Sequence, residues 1–214
     1  HHPARLLPVA RFLREPRFAF FCPLLYHARS MGASDNLILV GFMGAGKSAV
    51  GRRLAKRLDR CFVETDDMIV AREGKSIPEI FAEKGEPHFR TLEAEVVESL
   101  KLKRGDVIAT GGGLPCQAGA MGALRALGTV IWLTADFDTL YRRARQAGGR
   151  PMLANRSKEE IRALFHQREP SYRQAHFSLD TTGLGVDGAV NKILLLLNAE
   201  APASRRRAAT QRRA

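Results

Sequence analysis

From residue 37 to residue 198, short apolar runs alternate with segments whose apolar residues recur at helical spacing. Leu37-Ile38-Leu39-Val40 is unbroken and branched, the pattern of a parallel strand buried on both faces. Residues 49–58 follow with apolar positions at helical spacing beneath a basic outer face. Cys61-Phe62-Val63 predicts a second strand ending at the acidic cluster Glu64-Thr65-Asp66-Asp67, with Cys61 in the core. Asp106-Val107-Ile108-Ala109-Thr110 predicts a third strand, Val130-Ile131-Trp132-Leu133 a fourth and residues 177–180 a short fifth. Further helices are predicted near 66–73, 76–84, 87–101, 117–127, 136–146, 158–168 and 187–198, the 158–168 helix stopping before Pro170. Ser76 three residues ahead of Glu79 is a capping-box start. Gln146 to Arg156 is polar, Gly-rich and interrupted by Pro151, and reads as a mobile loop. Strand and helix in alternation predict an α/β fold, a five-stranded parallel sheet flanked by helices. The helices between strands two and three form a natural cover for a substrate.

The junction between the first strand and helix carries the chemistry. Gly41-Phe42-Met43-Gly44-Ala45-Gly46-Lys47-Ser48 fits GxxxxGK[ST] at every required position, and strand–loop–helix is the context that gives this pattern meaning. Gly44, Ala45, Gly46, Lys47, Ser48 and Ala49 span the stretch where backbone N–H groups and the helix dipole favour an anion. Lys47 is expected to reach the β- and γ-phosphates of a nucleoside triphosphate, and the Ser48 hydroxyl to bind Mg²⁺. The core is therefore a P-loop kinase core.

The third strand ends in glycines and offers no metal-binding acid, so the nearest acids at a strand end are Glu64 and Asp66. Two apart in an extended segment, they are expected to point the same way, toward the phosphates, to hold metal or to accept a hydroxyl proton. Gly111-Gly112-Gly113 at the carboxyl end of the third strand permits close backbone approach to a ligand. Arg90, Arg150 and Arg168 are candidates for a bidentate grip on carboxylate or phosphate, with Glu93 on the same helix face as Arg90.

The 214 residues suit one α/β domain with tails. Of the net charge of +12, only +4 belongs to residues 37–204, because the first 36 residues carry five Arg against Glu15 and Asp35, and the last ten carry five Arg and no acid. The division expected is an N-terminal extension over 1–35, disordered or processed, a kinase domain over 36–200 and a basic disordered tail over 201–214. The extension is Arg-rich with prolines at 3, 8, 16 and 23, a composition shared with organellar transit peptides, although a start at Met31 after an added segment is the reading preferred. No apolar stretch is long enough for a membrane span. Cys22, Cys61 and Cys116 have neither disulfide-framework nor metal-ligand spacing and point to a reducing, cytoplasmic setting.

These separated motifs together resemble the shikimate kinase family over about residues 37–197. The phosphate loop matches closely, and Glu64-Thr65-Asp66 is similar to the family's Asp-x-Asp. Phe81 followed by Gly85-Glu86-Pro87-His88-Phe89-Arg90-Thr91-Leu92-Glu93 is similar to its Gly-Glu-x-x-Phe-Arg-x-x-Glu substrate helix. Gly111-Gly112-Gly113, the lid segment Arg150-Pro151-Met152-Leu153 and Arg168-Glu169-Pro170-Ser171-Tyr172 complete the series. The resemblance implies Mg²⁺-dependent transfer of the ATP γ-phosphoryl group to the 3-hydroxyl of shikimate, in aromatic amino-acid biosynthesis. It implies that Arg90 and Arg168 clamp the shikimate carboxylate, that Glu93 orients Arg90, and that Asp66 holds the ring hydroxyls and serves as base. The glycine backbone would contact a hydroxyl, chiefly at Gly112. Arg150 would arrive with the lid to stabilise the transferring group, Arg143 would pack against adenine, and Ser48 and Glu64 would attend the metal. ATP and shikimate are the implied partners of a monomer that binds neither nucleic acid nor membrane. Glu64 departs from the family's Asp, which predicts weaker or less selective metal use.

A gluconate kinase would also meet a carboxylate and hydroxyls, but the substrate helix and triple glycine favour shikimate. A GTP-binding switch would need Asn-Lys-x-Asp, whereas Asn191-Lys192-Ile193-Leu194 has Leu in place of the acid. A nucleic-acid-binding module would rest on the basic tails alone.

Overall fold

The computed structural model describes residues 35–147 and 156–200. The tails and the segment Arg150–Leu153 assigned to a lid lie outside the described residues. Among the described residues, five strands form one sheet: β1 Asn36–Val40, β2 Phe62–Glu64, β3 Val107–Ala109, β4 Gly128–Thr134 and β5 Phe177–Asp180. Their order is β2-β3-β1-β4-β5 and every neighbouring pair is parallel, so the expected architecture holds. Ile38 in β1 stands level with Ile108 in β3 and Val130 in β4. All three are fully buried, as a central strand covered on both faces requires. Each such side chain contributes about 1.5–3 kcal/mol by leaving water.

The helices are α1 Lys47–Leu58, α2 Thr65–Glu73, α3 Ile77–Leu100, α4 Ala120–Leu127, α5 Phe137–Gln146, α6 Lys158–Tyr172 and α7 Val186–Glu200. A 3₁₀ turn, Leu114–Cys116, precedes α4. No described helix is long and apolar enough to cross a membrane. The apolar stripes seen in the sequence are the buried faces: Val50 and Leu54 of α1, Leu92 and Val96 of α3, Ile161 and Phe165 of α6.

The expected pair of helices at 76–84 and 87–101 is one element, α3, broken at Gly85, whose φ of 74° and ψ of 177° lie outside the helical region. A side-chain-bearing residue rarely adopts that φ, so glycine there lets the chain turn between a short covering arm and the long buried one. Ser76 and Glu79 form the expected capping box at its start. Three expectations need correction. Cys61 precedes β2 and is only partly buried. Helix α2 begins directly after β2, at Thr65, so Asp66 is in a first helical turn rather than an extended segment. Helix α6 runs through Pro170 to Tyr172. Pro170 is in the last turn, where its missing N–H forgoes one bond, and Arg173 N still donates to Glu169 O at 3.0 Å. Burial of Tyr172 outweighs the cost of continuing.

Because the order reverses on either side of β1, the carboxyl ends of β2, β3 and β1 lie side by side at the point where open α/β sheets collect ligands. Those ends carry Glu64, the last residue of β2, the triple glycine after β3 and the phosphate loop after β1.

Candidate active site

The phosphate loop turns from β1 into α1 through Gly44 and Gly46, both at positive φ. Lys47, first residue of α1, donates from Nζ to Gly41 O at 2.8 Å and Phe42 O at 3.1 Å, which folds its ammonium back over the loop. Ala45 is buried beneath the turn, while Ala49 is exposed on the first turn of α1. Ser48 Oγ donates to Glu64 Oε1, and Arg52, one turn further along α1, donates to Glu64 Oε2 at 2.9 Å. Arg52 is largely exposed, so this pair contributes no more than about 1 kcal/mol. Its effect is positional: the carboxylate is held beside the Ser48 hydroxyl.

The triple glycine closes the neighbouring wall. A Cβ on Gly111 would stand 2.4 Å from Asp66 Oδ1, and one on Gly113 would stand 2.6 Å from Arg90 Nη1. The outer glycines are therefore small because an acid and a guanidinium lie against them. Gly112 would meet nothing closer than 3.5 Å. The Gly111 N–H donates to the buried Thr65 Oγ1 at 2.9 Å, which ties β3 to the start of α2 and brings Asp66 to the glycines. Helical phase, not strand alternation, thus aims Asp66, yet Glu64 and Asp66 still line one cavity.

That cavity has a volume of about 560 Å³, within the range of small-molecule sites. Lys47 and Ser48 line it together with Arg90 and Arg168, and Glu64 and Asp66 are also on its surface. Phe81 and Phe89, one from each arm of α3 and 4.7 Å apart between ring centroids, add an apolar side. A site furnished this way suits a small anionic acceptor presented to a bound phosphate.

Arg90 is fixed by two carboxylates. Its Nη1 donates to Glu93 Oε2 at 2.7 Å and its Nε to Glu86 Oε1 at 3.1 Å. Glu93 is 1% exposed and also accepts from Gln117 Nε2. Burial raises the Glu93 carboxyl and outweighs the lowering by Arg90, whereas in the half-exposed Arg90 the two carboxylates outweigh burial and raise the guanidinium. Arg168 projects from α6, where its guanidinium lies 6.0 Å from the Phe42 ring centroid. One turn on, the fully buried Tyr172 donates its hydroxyl to Gly112 O at 2.6 Å.

The structure thus gathers Lys47, Ser48, Glu64, Asp66, Arg90, Glu93, Gly111, Gly112, Gly113 and Arg168 around one space. It does not bring Arg143 there. That guanidinium donates to Thr181 Oγ1 at 3.1 Å, Thr181 O at 3.0 Å and Leu184 O at 3.3 Å, joining α5 to the turn after β5. Arg150 lies outside the described residues. Gln117, Arg52 and Thr65 support the site from behind through Glu93, Glu64 and Gly111, contacts that only the tertiary fold creates. Tyr172 had one available signal, its i+4 spacing from Arg168.

A metal would find hard oxygen donors in the Ser48 hydroxyl and the adjacent Glu64 carboxylate. Among the described residues no three His, Cys, Asp or Glu side chains cluster as a metal cage. Few protein oxygens beside a phosphate loop fit Mg²⁺, which keeps waters and relies on substrate phosphates.

Comparison with known proteins agrees with this geometry. The family model described as shikimate kinase matches residues 43–198. The shikimate kinase of Geobacter metallireducens is 46% identical over 159 residues, covering 74% of this chain and 89% of that one. That of Persephonella marina is 42% identical over 159 residues, covering 74% and 96%. Among solved structures, the shikimate kinase from Acinetobacter baumannii in complex with shikimate superposes with a TM-score of 0.74 at 36% identity, covering 79% of this chain and 96% of that one. The Aquifex aeolicus enzyme gives 0.67 at 34%, covering 77% and 96%.

Proposed function

The chain belongs to the shikimate kinase family, and we propose that it transfers the γ-phosphoryl group of ATP to the 3-hydroxyl of shikimate, giving shikimate 3-phosphate for aromatic amino-acid biosynthesis. One observation carries this reading: a single cavity is lined both by the phosphate-loop Lys47 and Ser48 and by two arginines, Arg90 and Arg168. Phosphoryl transfer asks for positioning and charge neutralisation more than covalent chemistry, and the residues divide along those lines. Gly44 to Ala49 cradle the ATP phosphates, and Lys47 neutralises the β- and γ-oxygens. Arg90, held by Glu93, and Arg168 grip the carboxylate. Asp66 accepts hydrogen bonds from the ring hydroxyls and takes the 3-hydroxyl proton as the oxygen attacks phosphorus. The backbone of Gly111 to Gly113, Gly112 foremost, forms the wall at the hydroxyl side. Arg150, from the lid, meets charge on the transferring phosphoryl group and helps exclude water. Arg143, held against the turn after β5 and outside this cavity, flanks adenine on the family resemblance alone. The chain acts as a monomer. The free thiols Cys61 and Cys116 support a reducing, cytoplasmic setting.

Mg²⁺ is the implied metal, and Ser48 and Glu64 would hold it. When bound, it screens the charge of the β- and γ-phosphates. The longer Glu64 reaches Ser48 and Arg52 at once, a grip that competes with the metal. Glu64→Asp is therefore expected to lower the Mg²⁺ concentration for half-maximal rate by about two- to fivefold, the scale of an exposed ion pair. A metal titration of both proteins checks it, and superimposable curves would remove the idea.

The function itself is tested by ADP release over a panel of acceptors. Shikimate is expected to drive turnover far above the water background and above gluconate. Turnover equal for both, or none with shikimate, would contradict the proposal.

A further inference from the structure

The Gly112–Gly113 peptide is the least constrained wall of the cavity by its own sequence. Gly113 has φ −87° and ψ −26°. Turning the Gly112 carbonyl over would carry Gly113 into the positive-φ region, which glycine tolerates at little cost. Such peptide flips are easy between two glycines, so something outside the loop must choose the orientation. The group that touches the carbonyl is the Tyr172 hydroxyl, 2.6 Å from Gly112 O. The phenol is buried, and its ring lies 6.0 Å from that of Trp132. The Cys116 sulfur, 3.9 Å from the same oxygen, is a weaker donor.

We propose that Tyr172 is a positioning residue for shikimate, its hydroxyl fixing the orientation of the Gly112–Gly113 peptide beside Arg168. In a planar trans peptide the following N–H points opposite to the carbonyl. With Gly112 O bonded to Tyr172, the loop turns the Gly113 N–H to the other side. Flipped, it would turn a carbonyl oxygen there instead. A Cβ at Gly112 would lie 3.6 Å from Arg168 Nη1 and 3.8 Å from Tyr172 Oη, so the phenol and Arg168 stand on one side of Gly112, while one at Gly113 would lie close to Arg90 Nη1. A flip would take the carbonyl from beside the phenol and Arg168 and turn the Gly113 N–H toward them, so that an N–H dipole faces the guanidinium and disturbs its seat for the acceptor's carboxylate. Because Tyr172 is one helical turn beyond Arg168, the same bond also fixes the height of Arg168 against the glycines.

This inference rests on the shikimate reading of the site. Wild-type turnover with shikimate tests that reading, and only the difference between wild type and variant tests this one. Tyr172→Phe keeps the ring and removes the donor. The KM for shikimate is expected to rise about tenfold, with the KM for ATP and kcat within about threefold of wild type. Assays run below the lower melting midpoint of the two proteins separate positioning from loss of stability. Equilibrium titration with shikimate, read by fluorescence of Trp132, the single tryptophan, gives the same shift without turnover. A shikimate KM within about twofold of wild type would overturn the proposal, as would a parallel rise in both KM values or a fall in kcat alone.

Discussion

Arg168→Ala is expected to lower kcat/KM for shikimate by roughly thirty- to a thousandfold, leaving the KM for ATP almost unchanged. A guanidinium in a closed site holds a carboxylate through charge-assisted bonds, and losing one such donor costs about 2–4 kcal/mol of transition-state binding. Arg168 is the cleaner of the two clamp residues to remove. Arg90→Ala should lose as much activity and also lower the melting temperature. Glu93, 1% exposed, would keep Gln117 but lose its counterion, and an orphaned buried carboxylate is strongly destabilising. Steady-state kinetics together with thermal melts distinguish the two variants. Equal stability loss in both would mean that Arg168 is as structural as Arg90.

Lys47→Ala is expected to reduce kcat by about 10²–10³-fold, the range for deleting a donor aimed at charge in the transition state. The fold should survive, since Lys47 Nζ donates to Gly41 O and Phe42 O within its own loop. The compact ammonium can leave those carbonyls for phosphate oxygens without rearranging the sheet. Single-turnover rates at saturating ATP check this. A variant retaining more than about a tenth of the wild-type rate would show that Lys47 is not where charge develops.

Local features carried most of the fold into the sequence. The phosphate loop is contiguous, and β1 and β3 are unbroken apolar runs, so their placement needed no tertiary knowledge. The glycines at 111 and 113 were legible as close approach, although the groups that approach, Asp66 and Arg90, lie in distant segments. Asp66 was read in the right place for the wrong geometric reason. Helix α2 starts one residue after β2, and nothing in Glu64-Thr65-Asp66 marks that change of period. Pro170 misled because a proline usually ends a helix, but burial of Tyr172 carried α6 two residues further. The bond from Tyr172 to Gly112 joins residues sixty apart, and that from Gln117 to Glu93 joins residues twenty-four apart. Neither spacing has a sequence signature.

The account turns on the acceptor's negative charge meeting Arg168. The direct measurement is kcat/KM for shikimate and for its methyl ester, on wild type and on Arg168→Ala. The wild type is expected to prefer the free acid by roughly thirty- to a thousandfold, and the variant to lose at least about tenfold of that preference. A variant that discriminates acid from ester as sharply as wild type would contradict it.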